Sequence, residues 1–554
     1  MEIEKFCQLL GNEILKQKIE SKEEIIKLRD KLTKIHRPTK VPSLIQILLA
    51  AKEKDRQKLF KLIKIKPTRE QSGVSVVAIM TKPFPCPHGK CAMCPGGGSV
   101  PQSYTGEEPA ARRAIRNNYD AYLQVFNRLE QYILIGQQPE KIELILMGGT
   151  FPSFPANYQT TFIKDAMNAM NDFGKFFIKK DKIDFNKFFK FFELNTKNDK
   201  NRYELINNKI RKLKLKNKDT LKKAQDKNEK AKVRCIALVI ETRPDYCKQP
   251  HINKMLLQGC TRVELGVQSI YPKVLEKINR GHSLQDSIEA TQLMKDSGLK
   301  VGYHMMPGAP GSSIKKDLEM FKELFKNQNY KPDALKIYPC MVMPNTPLFE
   351  DYKKGKYKPL TTEKAAKLVA EAIKYIPEYC RIMRVQRDIP TFMTHAGVDK
   401  TNLRQYVDKH LKVKSRDIRS RQIRTEEIIN PILKRIDYDA SNGKEIFLSI
   451  EDDDKLIGFL RLRITANSKR KEITKSSAIV RELHVYSNVE KIGKTSIKSH
   501  QHKGFGKQLL KEAERITKEE FKKNKLVIIS GIGVKEYYYK LGYKKEGPYV
   551  AKTI

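Results

Sequence analysis

Val74-Ser-Val-Val-Ala-Ile-Met80, followed by Cys86-Pro-His-Gly-Lys-Cys91-Ala-Met-Cys94 and Pro95-Gly96-Gly97, decides how this chain is read. The first run is apolar and β-branched, as a buried strand is, and it delivers the chain directly into a loop with three thiols. Proline and glycine bend the loop, so three sulfurs converge from one side on one soft metal centre. A cluster that only carries electrons takes four cysteines, and the next one, Cys235, lies far along the chain. Three ligands leave one iron open to a small molecule. Two other readings stand beside this one: a structural zinc on Cys86, His88, Cys91 and Cys94, and three inert buried thiols.

The strand-then-loop pattern recurs. Lys141–Met147 runs into Gly148-Gly149-Thr150, and strands are expected at 236–241, 262–267, 299–304 and 334–338. Helical stretches, such as 112–131, separate most of them. This alternation predicts parallel βα units in an α/β fold with a full or partial (β/α) barrel. Ligand-binding groups of such barrels collect on loops at the strands' C-terminal ends, where the cysteines and Gly148-Gly149 both fall.

A chain of 554 residues, at about 150 per domain, divides into three or four units. The expected division is a basic helical unit at 1–66, a barrel at 67–340 with a basic insertion near 173–232, a linker region at 341–435 and a last domain at 436–554. Ser21-Lys-Glu-Glu24 reads as a capping box, with Ile25, Leu28, Leu32 and Ile35 following at helical spacing. One more helix is expected from Pro42-Ser43 through Leu59. In the insertion, lysines interleave with Phe176, Phe177, Phe188, Phe189, Phe191 and Phe192, which read as rings packed between helices under a solvated lysine face. Cys340, Cys380 and His395 are candidate ligands for a linker zinc.

Lys and Arg number 108 against 64 Asp and Glu, a net charge of +44, which points to a polyanionic partner bound by phosphate neutralisation. Nine cysteines in a long chain with no secretory leader predict a reducing, cytoplasmic setting. The apolar runs fall short of the ~18–20 residues a membrane span takes, so a soluble protein with no membrane partner is expected.

The C-terminal region changes character. Strands are expected at 445–450, 455–463 and 478–485, with an Asn442-Gly443 turn before the first. Gln501-His-Lys503-Gly504-Phe505-Gly506-Lys507 then opens a helix toward Ile516, and amides at a glycine-rich helix start cradle a pyrophosphate. The pattern is the Q/R-x-x-G-x-G/A signature of GNAT-type acetyltransferases. A strand at 526–530 leads to Tyr537-Tyr538-Tyr539-Lys-Leu-Gly542-Tyr543.

With Tyr104-Thr105-Gly106, Met147-Gly-Gly-Thr-Phe151, Glu241-Thr-Arg-Pro-Asp245 and Glu264-Leu-Gly-Val-Gln-Ser269 added, the chain resembles the family of Elongator catalytic subunits from about residue 66 onward. The resemblance implies a partial barrel of radical S-adenosylmethionine (SAM) type joined to a GNAT domain. It implies a [4Fe-4S] cluster on Cys86, Cys91 and Cys94 with SAM on the fourth iron. Gly148, Gly149 and Thr150 would meet the methionine part of SAM, with Glu264 and Gln268 in the same cavity. For acetyl-CoA, it implies the Gln501, Lys503, Gly504, Phe505, Gly506 and Lys507 cradle, a contact from Lys141, and pairing of the Glu482, Leu483, His484 and Val485 backbone with the pantetheine arm. Tyr538, four residues before Gly542, would protonate the leaving thiolate, supported by Tyr537. The implied activity makes 5-carboxymethyluridine at the wobble position of tRNA from acetyl-CoA and a 5′-deoxyadenosyl radical. Its partners would be the anticodon loop and an electron donor, with the protein a monomer or homodimer. A lysine acetyltransferase of basic proteins with a structural cluster is the competing function, and the +44 charge would repel its substrates.

Overall fold

A computed structural model describes residues 1–19, 21–62, 73–194, 201–424, 426–465, 467–486 and 504–554. The strand that leads into the cysteine loop is β1 (Val74–Met80), followed by β2 (Lys141–Met147) and a short hairpin of β3 (Ile178–Lys179) and β4 (Lys182–Ile183). Next come β5 (Arg234–Thr242), β6 (Arg262–Gln268), β7 (Lys300–Met305), β8 (Ala334–Ile337) and β9 (Arg381–Arg384). Their order, β1-β2-β5-β6-β7-β8-β9, is parallel throughout, with β1 and β9 at open edges. The predicted partial barrel is therefore present.

Alternation along β2 shows what closes it. Ile142, Leu144 and Leu146 are buried in the outer core, a gain of about 1.5–3 kcal/mol for each side chain. Lys141, Glu143, Ile145 and Met147 take the opposite face, toward the lumen. The helix expected at 112–131 is two, Pro109–Arg116 and Ala121–Leu134. Asn118 and Tyr119 break it with φ of 50° and 56°, and Asp120 caps the second.

Before the barrel lie α1 (Ile3–Lys16), α2 (Lys22–His36), α3 (Leu44–Ala50) and α4 (Glu53–Leu62). The Ser21 capping box forms as expected. The single helix expected to reach Leu59 is divided at Ala51, whose extended backbone ends α3. Phe173, Phe177 and Phe192 of the insertion are buried against Phe126, and Phe188 against Phe177 and Phe192, so these rings are packing. Phe60 meets Phe185 at 5.2 Å, tying the N-terminal helices to the insertion.

The region expected to be a linker is built into both sheets. It supplies β9, and Arg421 donates to Glu451 at 2.7 Å with both groups buried. The linker zinc is not assembled. Cys340 follows β8 on the rim that carries the cysteine loop, and Cys380 precedes β9 on the opposite rim. His395 packs its ring on Phe349 and Tyr352.

The second sheet contains β10 (Ile432–Ala440), β11 (Gly443–Asp452), β12 (Lys455–Ile464), β13 (Ser477–Val485), β14 (Lys525–Ile528), β15 (Lys544–Glu546) and β16 (Tyr549–Thr553). Only β13 and β14 pair in parallel, from Ser477↔Lys525 to Val480↔Ile528. Beyond Val480 the strands part, and β13 runs on to Val485.

This sheet docks on the N-terminal rim of the barrel through buried charge. Arg481 donates to both carboxylate oxygens of Asp333, at 2.8 and 2.7 Å, and to the Leu299 carbonyl. Arg463 grips Asp296 at 2.8 and 2.6 Å. Gly531 lies so close to β5 that a Cβ would sit 1.8 Å from the Ile236 oxygen. Among the described residues no helix is long and apolar enough to cross a membrane.

Candidate functional site at the two rims of the barrel

Cys86, Cys91 and Cys94 lie on the C-terminal rim. Arg280 brings its Nη1 within 3.6 Å of Cys91 Sγ while donating to the Gly266 carbonyl at 2.7 and 3.1 Å. Gly266 makes the room, since a Cβ there would meet Arg280 at 2.4 Å. A hydrogen bond from Cys94 and the Arg280 guanidinium hold the Cys91 thiol below its ordinary range, against burial. Thiolate is the ligand form, and Cys91 is the thiol held toward it, since burial pushes Cys86 up and the hydrogen bond to Cys91, with burial, pushes Cys94 up. Thr150 reaches the Cys86 thiol through its side chain. Gly148, with φ of 120°, has no space for a Cβ, which would lie 2.3 Å from Thr81 Oγ1. Gly149 has the same φ and open space beside it.

Tetrahedral zinc needs sulfurs about 3.8 Å apart, given its short bonds. Among the described residues, the one set of three ligand atoms within 4.8 Å of each other is Glu241, Glu264 and His304, so the cysteine loop is not gathered for zinc. Three thiols beside a guanidinium are the donor set of a cysteine-held cluster. His88 instead places Nε2 3.1 Å from Cys91 Sγ and packs on Gly281.

On the opposite rim, β13 and the helix Phe505–Arg515 form the second site. Gly504 starts that helix with φ of 85°. A Cβ on Gly506 would lie 3.0 Å from Tyr537 Oη and 3.7 Å from Val485, so helix start, strand and tyrosine pair meet at one place. Lys507 is exposed on the first turn. Tyr538 is buried, packed on Tyr537 and Tyr543, and burial keeps its hydroxyl protonated well above neutral pH. Beyond the parting from β14, Glu482, Leu483, His484 and Val485 are half-buried, with a backbone edge that β14 does not occupy. Gln501 and Lys503 lie outside the described residues.

Residues 3–71 match the model of the ELP3 N-terminal domain, 83–324 the radical SAM superfamily, 332–413 the radical SAM C-terminal domain and 416–543 the acetyltransferase (GNAT) family. The tRNA uridine(34) acetyltransferase of Methanocaldococcus infernus is 44% identical over 578 aligned positions, covering 100% of both chains. The chain belongs to the Elongator complex protein 3 family. The human Elongator complex protein 3 is 38% identical over 569 positions, covering 98% of this chain and 96% of its own. A solved structure of the M. infernus Elp3 with an N-terminal deletion (1–46) superposes with a TM-score of 0.71 at 43% identity, covering 87% of this chain and all of that one.

Between its rims, this Elongator complex protein 3 family member carries a row of polar groups, of which sequence reading singled out Glu264 alone. Arg262 Nη2 lies 2.5 Å from Glu143 and 3.1 Å from Glu264. His304 Nε2 is 2.9 Å from Glu264, and Lys336 is paired with both Glu264 and Glu241, the latter at 2.8 Å. Tyr104 Oη donates to Glu241 at 3.3 Å. Burial pushes the Glu264 carboxyl up, but Lys336, Arg262 and His304 outweigh it and hold it well below the usual range. Glu264 sits below the rim that carries the cysteine loop, whereas Gln268, at φ of 68° on that rim, leaves its Oε1 without a partner among the described residues. A sequence signal for Lys336 existed: a lone lysine inside Ala-Leu-Lys-Ile, in a parallel strand that should be apolar on both faces.

Proposed function

We propose that this chain modifies the wobble uridine of tRNA, using acetyl-CoA as the carbon donor and SAM as the radical source, to give 5-carboxymethyluridine. The observation that carries the reading is the shared barrel: the cysteine loop occupies one rim and the acetyl-CoA strand docks on the other. A [4Fe-4S] cluster with SAM supplies, when bound, a carbon radical able to take hydrogen from an unactivated C–H bond. Cys86, Cys91 and Cys94 would hold the cluster, with Arg280 favouring the thiolates. Gly148, Gly149, Thr150 and Gln268 would line the SAM side. Gly504, Phe505, Gly506 and Lys507, continued by Gln501 and Lys503, would bind the pyrophosphate of acetyl-CoA, and Glu482 to Val485 its pantetheine arm. Lys141 begins β2 beside Arg234, against which Gly533 packs, on the rim facing acetyl-CoA. Tyr538 would protonate the departing thiolate, with Tyr537 holding its ring.

The +44 chain draws the tRNA in, and α1 to α4 with the insertion offer lysine-rich faces for its backbone. An unstacked anticodon base is the form in which protein can do chemistry on uracil C5. The test is anaerobic incubation of reconstituted protein with SAM, acetyl-CoA, reductant and transcribed tRNA, followed by nucleoside mass spectrometry. Carboxymethyluridine should appear and vanish when either cofactor is omitted. Cys91→Ala should abolish it, and a Cys91→Ala protein that still makes the nucleoside would refute the radical step.

A further inference from the structure

The two sites face each other along the length of one strand. Lys141 and Met147 bound β2, and six steps of an extended chain span ~20 Å. Hydrogen transfer needs the reacting atoms about 3–3.5 Å apart. A donor bound on the N-terminal rim must therefore extend into the barrel to be met from the other side.

The residues at that entrance turn toward the lumen. Glu482 and His484 share one face of β13, since strand side chains alternate. Glu482 pairs with Lys300 at the start of β7 and with Arg461 at 2.9 Å. Burial lowers the His484 imidazole to about 4, and the charges it feels are Glu482, Arg381, Lys300 and the lumen carboxylate Glu143. A neutral imidazole at the mouth places no charge against an uncharged acyl group.

Arg262 opens β6 in register with Lys300 and feels the Glu482 charge. The residue is 7% exposed and its Nη2 is ion-paired with Glu143 and Glu264, yet its Nε has no hydrogen-bond partner among the described residues. A buried guanidinium nitrogen left unpaired is costly unless a ligand completes it. Lys336, 9% exposed, spends two of its three donors on Glu241 and Glu264, leaving one. Both cations stay charged, because the carboxylates around them outweigh burial.

We propose that the acyl end of acetyl-CoA enters the barrel through its N-terminal rim and that Arg262 and Lys336 donate to its carbonyl oxygen there. This rests on the function proposed above. Donors on that oxygen fix the direction of the methyl group and favour any charge that builds on the carbonyl. They touch the donor without changing SAM binding on the far rim.

Binding to the cluster-free full chain isolates the carbonyl contact. The probes are a ketone analogue of acetyl-CoA, with methylene in place of sulfur, and coenzyme A itself, both by calorimetry. Lys336→Met should weaken the analogue about 10-fold while coenzyme A keeps its affinity, and Lys336→Arg should restore most of the difference. Equal losses for both ligands, or none, would overturn the proposal. Ile145→Trp narrows the lumen from the middle of β2 without removing a charge, so it should reproduce the selective loss even if Lys336→Met does not fold. In the loaded enzyme, deuterium from trideuteroacetyl-CoA should reach 5′-deoxyadenosine about 10-fold less in either variant, with SAM cleavage retained. Absence of deuterium transfer in the parent protein would sink the function proposed above, while calorimetry would still judge the carbonyl site.

Discussion

Arg481 and Arg463 are as buried as Arg262, but their nitrogens are employed differently. All three guanidinium nitrogens of Arg481 donate, to Glu445, Asp333 and the Leu299 carbonyl, and those of Arg463 to Asp296, Glu445 and two carbonyls. Arg262 leaves Nε bare among the described residues. The first arrangement is a joint and the second a receptor. A joint gains nothing from another partner, whereas a receptor keeps a donor in reserve and accepts the desolvation cost.

The most forceful way to break this contrast is Asp333→Ala. It strands Arg481 inside the joint and should cost about 3–5 kcal/mol, read as a lowered denaturation midpoint. Arg262→Gln should cost clearly less, because Glu264 keeps Lys336 and His304. Equal losses would erase the distinction.

Tyr538 belongs on the receptor side, since it is buried beside the tyrosine that meets the Gly506 turn and burial keeps its hydroxyl protonated. Tyr538→Phe should slow tRNA-stimulated acetyl-CoA turnover about 100-fold with coenzyme A affinity unchanged. Undiminished turnover would remove it from the chemistry.

Asp317 supplies a third case, a buried carboxylate met, among the described residues, by neutral donors: the Gly308 amide and Ser312 hydroxyl, each at 2.6 Å. Burial raises it from 3.8 to about 6. Its folded value lies above the unfolded one, so it stabilises fully below pH 3.8 and that contribution is lost as pH rises through about 6. The parent should lose about 3 kcal/mol relative to Asp317→Asn over this window, in melts taken across it. Parallel pH profiles would mean that the two neutral donors already compensate the charge.

The sequence was most legible where punctuation and apolar pattern agreed. β1 and β2 end in a cysteine loop and a glycine pair, and their bounds are legible to the residue. β9, β15 and β16 were hidden by their four, three and five residues with charged side chains, and β10 by exposed Ile432 and Leu433 on an edge. The cysteines, Gly148-Gly149 and the Gly504 turn each declare themselves within a few residues. Lys336, His304, Arg262 and Glu241 come from four strands and have no common motif until the parallel sheet sets them side by side. Arg280 was similarly hidden, because its access to the thiols depends on Gly266, remote from the loop.

The Arg481–Asp333 and Arg463–Asp296 joint also bears on heredity. Severing the chain after β9 would leave one half presenting bare aspartates and the other bare arginines, each on a face shaped for its counterpart. Neither half could be borrowed by another protein without redesign of that face. A substitution on either side of the seam therefore strands a buried charge that only a complementary change on the other side relieves.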